Sequence, residues 1–449
     1  MPATLTNKDT ILQDYFGEGV TNAINTTTQV LNRFPISPKK FDGRVLRENI
    51  GYAMPSSGGA YGPSLAAVPS AGTSLNIETY IYHCYIYDTI QIDWDVMEQT
   101  SGPHAYIDAV KQEMTRVSEY RALDFERMML NDGSGYLMPT GFTITVTATA
   151  PLAFTITNGA WLAPRFHIGQ RIEPWTLRTN AAVKRDTPAQ GYYVIGAVSR
   201  SGTTLTVTCD STSNSPGTNS PATGDYIAKD EAIVEDVTPS TTNAGNELQG
   251  LASIISASDP PLVTNTKAGF ATDSTFQNID SANSYWQAAT TDGTGNYLSI
   301  DLAEQCADDI AVHGGMGSEN VQFIVANHFQ IRKYRASLYP QERYPNSGSA
   351  GSFTAGSTSS FKSDVGPMLG DKPTVKSRFC DLDKAYLVGP GIQHYDLKSW
   401  GFANKDGSIW RVNQSNGVRP AWMANAYCYK AIGTTRRNAS GVITGLSTT

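Results

Sequence analysis

Two stretches near the N-terminus show the alternation of apolar and polar positions that is typical of β-strands. The first covers residues 44–54, and the second covers 73–92 and includes Ile77 and Ile81. A period of two residues places alternate side chains on one face of a strand. The segment 51–72 between them, GYAMPSSGGAYGPSLAAVPSAG, contains no charged residue. Since a compact domain seldom contains so long a loop without a use for it, we predict a long hairpin whose tip contacts a surface outside its own domain.

A helical period follows the hairpin. Pro103 suits the first turn of a helix, and the sequence Asn131-Asp132-Gly133 is a stop signal. The apolar residues between them recur three or four positions apart, at Ile107, Val110, Met114 and Val117. The pattern predicts one helix of about 28 residues, about 40 Å long. A coiled coil is the simpler interpretation of such length, but the apolar heptad is not sustained beyond Val117.

The rest of the chain alternates between β-rich and mixed regions. Residues 140–235 contain short strands such as GFTITVTATA and GTTLTVTCD, which predict a small barrel or sandwich. A helix is predicted over SIDLAEQCADDIAVHGG, followed by a strand that enters a second helix in NVQFIVANHFQIRKYRASL. A second Gly/Ser-rich loop is predicted at 345–363, and the last hundred residues alternate strands and turns.

Composition narrows the function. The net charge is −7, whereas a protein that binds nucleic acid through its phosphates needs a basic surface, so this class of function is disfavoured. The five cysteines include no CxxC pair, so neither a zinc site nor a disulfide framework is indicated, and free thiols suit a reducing cytoplasm. The N-terminus has no signal-peptide pattern, and no apolar run approaches the roughly 20 residues that span a bilayer. We therefore expect a soluble protein that does not enter a membrane.

No catalytic template matches. The sequence has no GxSxG, GxxxxGK[ST], HExxH or GxGxxG motif. His313-Gly314-Gly315 resembles an oxyanion loop only superficially and is better interpreted as a helix C-cap. Asp93 and Asp95 could together hold a cation, but the polar end of a strand is the favoured interpretation. We predict no catalytic residue, no cofactor and no metal, and therefore an architectural role rather than an enzyme.

Taken in order, these elements resemble the tailed-bacteriophage major capsid proteins, whose HK-ninety-seven-like fold is also seen in encapsulins. The resemblance covers nearly the whole chain. It rests on the Gly/Pro-rich tip GGAYGPSLAAVPSAG, on IYDTIQIDWDVMEQTSG leading into the long helix, and on the helix ending RALDFERMMLNDGSGYL. Arg127, Asp132, Gly133 and Gly135 match the ending that is typical of the family. FHIGQRIEPW, TGDYIAKD and ELQGLASII resemble an insertion before the chain returns to the core, and KAYLVGPGIQHYDL resembles the closing strands.

The resemblance implies an α+β fold with peripheral and axial domains. The predicted divisions are an N-terminal arm (1–43), an extended hairpin loop (44–92), the spine helix of the peripheral domain (93–139), an inserted small β-barrel-like domain (140–245), a return strand (246–265), the axial domain (266–400) and C-terminal strands (401–449). It also implies roles for three sets of residues. Contact with another subunit is expected from Tyr52, Met54, Tyr61, Leu65 and Val68, the core face of the spine helix from Ile107, Val110, Met114 and Val117, and the turn at the helix end from Asp132, Gly133 and Gly135.

The function implied is that of a shell protein. Copies of the chain would assemble into hexamers and pentamers of an icosahedral shell around double-stranded DNA, without sequence-specific DNA binding. The shell would form in the host bacterial cytoplasm and become part of the virion. The implied partners are the chain itself, a scaffolding protein, a portal and a possible decoration protein. Only about 40 residues precede the hairpin, so the scaffold is expected to be a separate protein or a segment already removed, and Met1 favours the separate protein.

One feature departs from some family members, which join subunits covalently through a lysine on the extended loop. No lysine occurs between Phe41 and Val110, so this shell is expected to be held by noncovalent contacts or by an added protein. The alternatives are an encapsulin-like nanocompartment with an enzyme as cargo, a β-rich carbohydrate-binding or adhesin protein, and an uncharacterised hydrolase. The inserted β domain and the long arm speak against the first, and the long charged helix speaks against the second.

Overall fold

The protein is described by a computed structural model. The model describes residues 30, 33–37, 45–53, 72–93, 103–139, 141–147, 152–176, 184–185, 191–210, 220–230, 232–234, 244–255, 275–277, 279–280, 283–314, 321–342, 368–369, 372–402, 410–413 and 421–448. The side chains of 103–113 lie outside this description. The predicted loop at 345–363 and Asp95 also lie outside the described residues.

The two predicted hairpin strands pair with each other. Strand β1 (Val45–Ala53) runs antiparallel to β2 (Leu75–Tyr82), from the pair Val45↔Tyr82 to the pair Ala53↔Leu75. Thr79 and Ile81 are buried at the base of this hairpin, where Ile81 packs with Tyr395 and Ala431. The predicted hairpin pairing is therefore confirmed for the described residues.

The prediction of one continuous strand over 73–92 is wrong. The chain breaks at His83, after which β3 (Cys84–Asp93) pairs with a different strand, β21 (Ala421–Thr434). The burial pattern shows the cause. Before the break the buried residues have odd numbers (Thr79 and Ile81), and after it they have even numbers (Cys84, Ile86 and Ile90). The buried face thus changes at His83, and one half of the segment belongs to the hairpin while the other belongs to the body.

The body contains a four-stranded sheet with a long helix on its buried face. The central strand β21 pairs with β3 on one side, and with β19 (Ile392–Phe402) and β20 (Trp410–Asn413) on the other. Helix α1 (Pro103–Leu130) has the predicted 28 residues and ends directly before Asn131. Met114 and Phe125 of α1 share one hydrophobic core with Ile86 and Ile90 of β3. The predicted helix is therefore confirmed.

A second sheet has six strands in the order β14-β22-β18-β15-β17-β16. Their bounds are β14 (Ala289–Asp292), β15 (Phe323–Ala326), β16 (Met368–Leu369), β17 (Lys372–Lys376), β18 (Ala385–Val388) and β22 (Gly441–Thr444). Phe323 and Val325 face the core under α1, whereas Ile324 and Ala326 face a second core. The four residues of β15 are all buried, as an apolar run covered on both faces should be.

Helices α3 (Ile300–His313) and α4 (His328–Glu342) flank the second core. Both follow the sequence prediction. The Ser299 hydroxyl caps α3 by accepting a hydrogen bond from the Leu302 amide, and the Gly314 amide donates to the Ile310 carbonyl at 2.7 Å. The His313-Gly314 motif is thus a helix end, as expected. The predicted domain boundary at residue 400 falls inside β19, and β22 pairs back into the second sheet.

The region 140–245 forms a third sheet in the order β4-β5-β8-β7-β6-β9. Its strands are β4 (Thr145–Thr147), β5 (Ala153–Ile156), β6 (Arg171–Trp175), β7 (Tyr193–Ser201), β8 (Thr204–Cys209) and β9 (Tyr226–Lys229), with a 3₁₀ helix at Ala160–Arg165. The two ends of this order lie together, because the Ile144 amide donates to the Asp225 carbonyl at 3.0 Å and its carbonyl accepts from the Gly224 amide at 2.9 Å. The buried side chains of this sheet form a third hydrophobic core, separate from the two described above.

The predicted return strand at 246–265 is wrong for its described part, 246–255. A short helix, α2 (Leu251–Ile254), occupies it, with small two-stranded sheets before and after: β10 (Ile233–Val234) with β11 (Ala244–Gly245), and β12 (Thr275–Phe276) with β13 (Ile279–Asp280). Leu251, Ile254 and Ile255 are buried, and this i, i+3, i+4 spacing is helical. Gly250 touches the end of α1 so closely that a Cβ atom there would lie 2.3 Å from the Met128 carbonyl oxygen.

Candidate functional site

The described hairpin ends where the predicted contact segment begins. Tyr52 is 38% exposed and its ring stacks on that of Tyr285 in the same chain, with centroids 4.6 Å apart. On the opposite strand Leu75 is 45% exposed. The other residues predicted to contact a subunit, Met54, Tyr61, Leu65 and Val68, lie outside the described residues. Apolar side chains are therefore exposed at the end of the hairpin that leads into 54–71.

The predicted core face of α1 is described in its second half. Met114 is buried and Val117 is half-buried against the core, whereas the side chains of Ile107 and Val110 lie outside the description. The exposed side of the same turns includes Arg116 and Glu119.

The turn after α1 requires glycine at two positions. Gly133 and Gly135 have φ values of +84° and +82°, a region that favours glycine. A Cβ atom on Gly135 would lie 2.4 Å from the Cβ atom of Ala232. Asp132 accepts hydrogen bonds from the amide and the hydroxyl of Ser134, which fixes the turn. The turn brings α1, the third sheet and the segment before α2 together.

A buried ionic cluster that the sequence pattern did not predict lies at this junction. Asp124 of α1 accepts hydrogen bonds from Arg121 at 2.6 Å, from Arg127 at 2.9 Å and from Lys229 of β9 at 2.6 Å. Both arginines and Asp124 are 5% exposed or less. Burial alone would raise the pKa of Asp124, but the three cations outweigh burial and hold that pKa well below its usual range.

The cluster extends to two further elements. Arg121 donates to Asp88 of β3 at 2.7 Å, and Arg127 donates to Glu247 at 2.9 Å. Burial opposes the charge on each arginine, but the neighbouring carboxylates raise the pKa of both. The cluster thus joins α1 to the first sheet, to the third sheet and to the segment before α2. Its signal in the sequence is spacing, since Arg121 and Asp124 continue the i, i+3, i+4 stripe that Met114 and Val117 begin.

A single arginine ties the third sheet to the second. Arg165, 5% exposed, donates to the Phe379 carbonyl at 2.7 Å, to Asp381 at 2.8 Å and to the Leu137 carbonyl at 3.2 Å. Burial raises the pKa of Asp381, while Arg165 and Lys384 lower it further than burial raises it. Three elements that are far apart in sequence therefore meet at one guanidinium group.

We expect the substitution Arg165→Ala to destabilise the chain by about 3 kcal/mol, because it leaves a buried carboxylate with only one cation and two carbonyls without a donor. Urea unfolding of the unassembled chain measures the loss, and hydrogen exchange at Phe379–Asp381 locates it. The exposed Arg200 on β7 provides the matched control, Arg200→Ala, for which the change should lie within about 0.5 kcal/mol. Equal effects of the two variants would contradict this role for Arg165.

The N-terminal segment joins the first sheet beside a buried histidine. Ile36 forms a parallel bridge with His394 of β19, and the Ser37 amide donates to the His394 carbonyl at 2.8 Å. His394 is 3% exposed, and its Nε2 atom has no hydrogen-bond partner among the described residues. Burial lowers the pKa of His394 to about 4, with Lys430 acting in the same direction and Asp396 opposing it.

This pKa predicts a pH dependence of stability. The folded chain keeps His394 neutral, whereas the unfolded chain binds a proton at this residue below a pKa of about 6.5. The free energy of unfolding is therefore unaffected by His394 above that pH. It decreases as the pH falls towards about 4, by up to about 3 kcal/mol. Glu173, whose pKa burial raises to about 7, acts in the opposite direction. The test is therefore the difference between the wild type and His394→Gln in urea unfolding at pH 7 and pH 4.5. The wild type should lose more stability than the variant, and parallel pH profiles would contradict the prediction.

Groups of three or more His, Cys, Asp or Glu side chains that could hold a metal ion do not occur among the described residues. None of the helices in the described ranges is long and apolar enough to cross a membrane. All five cysteines are free and buried.

The chain has the fold of phage capsid proteins. In structural comparison it is similar to the capsid asymmetric unit of cyanophage A-1(L), with a TM-score of 0.50, 12% sequence identity and coverage of 93% of both chains. Weaker similarities include the SrpI encapsulin of Synechococcus elongatus PCC 7942 (TM-score 0.40, 9% identity, 94% of this chain and 88% of that one) and the capsid of a native GTA particle (TM-score 0.41, 8% identity, 94% and 91%). No family model and no curated protein matches the sequence. The capsid-protein fold implied by the sequence resemblance is thus confirmed, while its division into peripheral, axial and inserted domains stays a prediction.

Proposed function

We propose that this chain is the major capsid protein of a tailed phage and assembles into hexamers and pentamers of an icosahedral shell around double-stranded DNA. The observation that carries the proposal is the capsid fold across 93% of the chain, combined with a hairpin whose exposed end leads into an uncharged segment. Such a chain is built to contact further copies of itself. Its role is structural rather than enzymatic, and its place is the virion.

The hairpin supplies the contact. Residues 54–71 would lie against a neighbouring copy, with Tyr52, Met54, Tyr61, Leu65 and Val68 as the contacting side chains. A neutral segment suits this role, because no ion has to lose its water on binding. When one surface of a subunit binds a different surface of the next, the subunits form a closed ring if the rotation between neighbours divides a full turn. Each subunit makes several such contacts, so that contacts which are weak individually hold the shell together through avidity.

The remaining parts take the roles implied by the family. The first sheet with α1 would form the peripheral domain, the second sheet with α3 and α4 the axial domain at the centre of each ring, and the third sheet an inserted, barrel-like domain. The net charge of −7 supports a container that does not retain DNA by binding its phosphates. A separate scaffolding protein, a portal and a decoration protein are the further partners we propose, with assembly in the host bacterial cytoplasm.

Electron microscopy of particles purified from the native source tests the proposal. We expect closed shells built of this one polypeptide and filled with DNA. Shells that contain an enzyme instead of DNA would identify an encapsulin-like compartment. A small oligomer with no shell would contradict the proposal altogether.

A further inference from the structure

A group of cationic side chains lies where β15 and β17 end and helix α4 begins. The two strands run in parallel up to the pair Ala326↔Lys376, and the Ser377 amide donates to the Ala326 carbonyl at 3.1 Å. Helix α4 begins two residues after Ala326. The strand pairing therefore holds Lys376 and Arg378 beside the first turn of α4.

Helix α4 adds two arginines to the group. His328, Arg332 and Arg335 are spaced by four and three residues, so they follow one face of the helix. Burial lowers the pKa of Lys376, and the charge of Arg335 acts in the same direction. Burial also lowers the pKa of His328, with Lys376 and Arg378 acting in the same direction. The cations are thus close neighbours, and we call Arg332, Arg335, Lys376 and Arg378 the basic patch.

Within the described part of the chain, the basic patch has no ion-pair partner. None of its four cations forms a salt bridge with a carboxylate there, and the Nε atom of Arg335 has no hydrogen-bond partner. Glu126, whose pKa Arg378 lowers against the larger effect of burial, is 7% exposed and accepts a hydrogen bond from Ser377 at 2.6 Å. It therefore presents no carboxylate at the surface.

The basic patch is accessible from solvent. Arg332 and Arg378 are exposed, and Arg335 and Lys376 are half-buried. Each exposed guanidinium lies over the ring of a neighbouring phenylalanine, 5.3 Å and 5.1 Å from the ring centroid. A planar guanidinium held in this way can donate two parallel hydrogen bonds to one phosphate group.

Two kinds of polyanion complement the patch: nucleic acid, and the acidic face of α3 in another copy of the chain. That face exposes Asp301, Glu304 and Asp308, which is three charges over about 10 Å of helix. Double-stranded DNA carries one charge per roughly 1.7 Å, about six over the same distance, and releases counterions when it is bound. The density of charge therefore favours DNA.

We infer that the basic patch binds the phosphate groups of double-stranded DNA without regard to sequence. The inference goes beyond the proposed function, which places DNA inside the shell but requires no contact with it. In the proposed shell, the patch would face the interior.

Such binding is weak and depends on salt. Contact with four phosphates predicts a slope of about −3.5 when the logarithm of the binding constant is plotted against that of the salt concentration. The affinity then falls about a hundredfold between about 50 mM and 200 mM salt. A local contact of this strength is compatible with a net charge of −7, because it does not retain DNA at the salt concentration of a cell.

Fluorescence anisotropy of a short labelled DNA duplex, titrated with the unassembled full-length chain, tests the inference. We expect binding at about 50 mM salt that is equal for duplexes of unrelated sequence, with the salt slope given above. The variant Arg332→Gln with Arg335→Gln should bind at least about tenfold more weakly and lower the slope by about 2. Lys376→Gln with Arg378→Gln should have the same effect from a different element, and circular dichroism verifies that each variant is folded.

The matched control removes two positive charges from exposed sites outside the patch. Arg47→Gln with Arg200→Gln changes the net charge by the same amount, and its affinity for DNA should stay within about threefold of the wild type. Equal loss of affinity in the control and the patch variants would overturn the inference, as would a wild type that does not bind DNA at about 50 mM salt.

Two further measurements separate the remaining explanations. Tighter binding of a polyglutamate peptide than of DNA would overturn the inference and make the patch a site for acidic protein segments. Sedimentation follows shell formation independently of the DNA titration. Wild-type shells without DNA binding would overturn the inference and leave the proposed function standing, whereas DNA binding by a chain that forms no shells would support the inference and contradict that function.

Discussion

A chain that carries Ala60→Asp, Tyr61→Glu and Gly62→Asp is expected to fold normally and to form no shells. The three carboxylates would have to lose their water in the contact with a neighbouring copy, at a cost of several kcal/mol per ion. Since each 1.4 kcal/mol weakens a contact about tenfold and every copy in the shell repeats the same contact, assembly should be lost completely. Sedimentation and negative-stain imaging measure the shells, and circular dichroism measures the fold.

The control for this variant keeps the same positions neutral. Ala60→Ser with Tyr61→Gln and Gly62→Ser should retain shells, although fewer than the wild type, because polarity without charge costs less in an interface. Intact shells from the charged variant would show that the tip does not contact a neighbour. Loss of folding in that variant, with the neutral variant folded, would instead place the tip in the structure of its own chain.

The second large effect is expected at the buried ionic cluster. Asp124→Asn keeps the size of the side chain but leaves Arg121, Arg127 and Lys229 without their shared carboxylate. Breaking a buried ion pair by removing one partner costs about 3–5 kcal/mol. Because Asp124 accepts from all three cations, we expect a loss at the upper end of this range, measured by urea unfolding of the unassembled chain.

Glu119→Gln is the matched control, since Glu119 lies on the exposed side of the same helix. Its free energy of unfolding should differ from that of the wild type by no more than about 0.5 kcal/mol. A loss below about 1 kcal/mol in Asp124→Asn would show that the cluster does not hold the sheets together.

Local periodicity was sufficient to predict the long helix and the strand pair of the hairpin. Pro103 and the stop at Asn131 indicated the two ends of α1, the apolar spacing from Ile107 to Val117 indicated its helical period, and the alternation around Ile77 indicated β2. These predictions succeeded because the signals depend only on neighbours within one element.

Features that depend on distant partners were not predictable in the same way. The chain breaks at His83 because the residues before it pair with β1 and the residues after it pair with β21. The only sign of this break in the sequence is that the apolar positions change from odd to even numbers. No local pattern indicated the pairing of Asp124 with Lys229 or of Arg127 with Glu247, because the partners lie more than a hundred positions apart along the chain. The short helix at Leu251–Ile254 was missed because it spans a single turn, so that the helical spacing of its buried residues is too short to stand out as a period.

The most direct test of self-assembly is sedimentation velocity of the purified full-length chain at increasing concentration. Binding of the uncharged hairpin tip to further copies predicts a cooperative change from subunits to particles of about a megadalton or more. A single species near the mass of one chain, 48.4 kDa, at every concentration would contradict it.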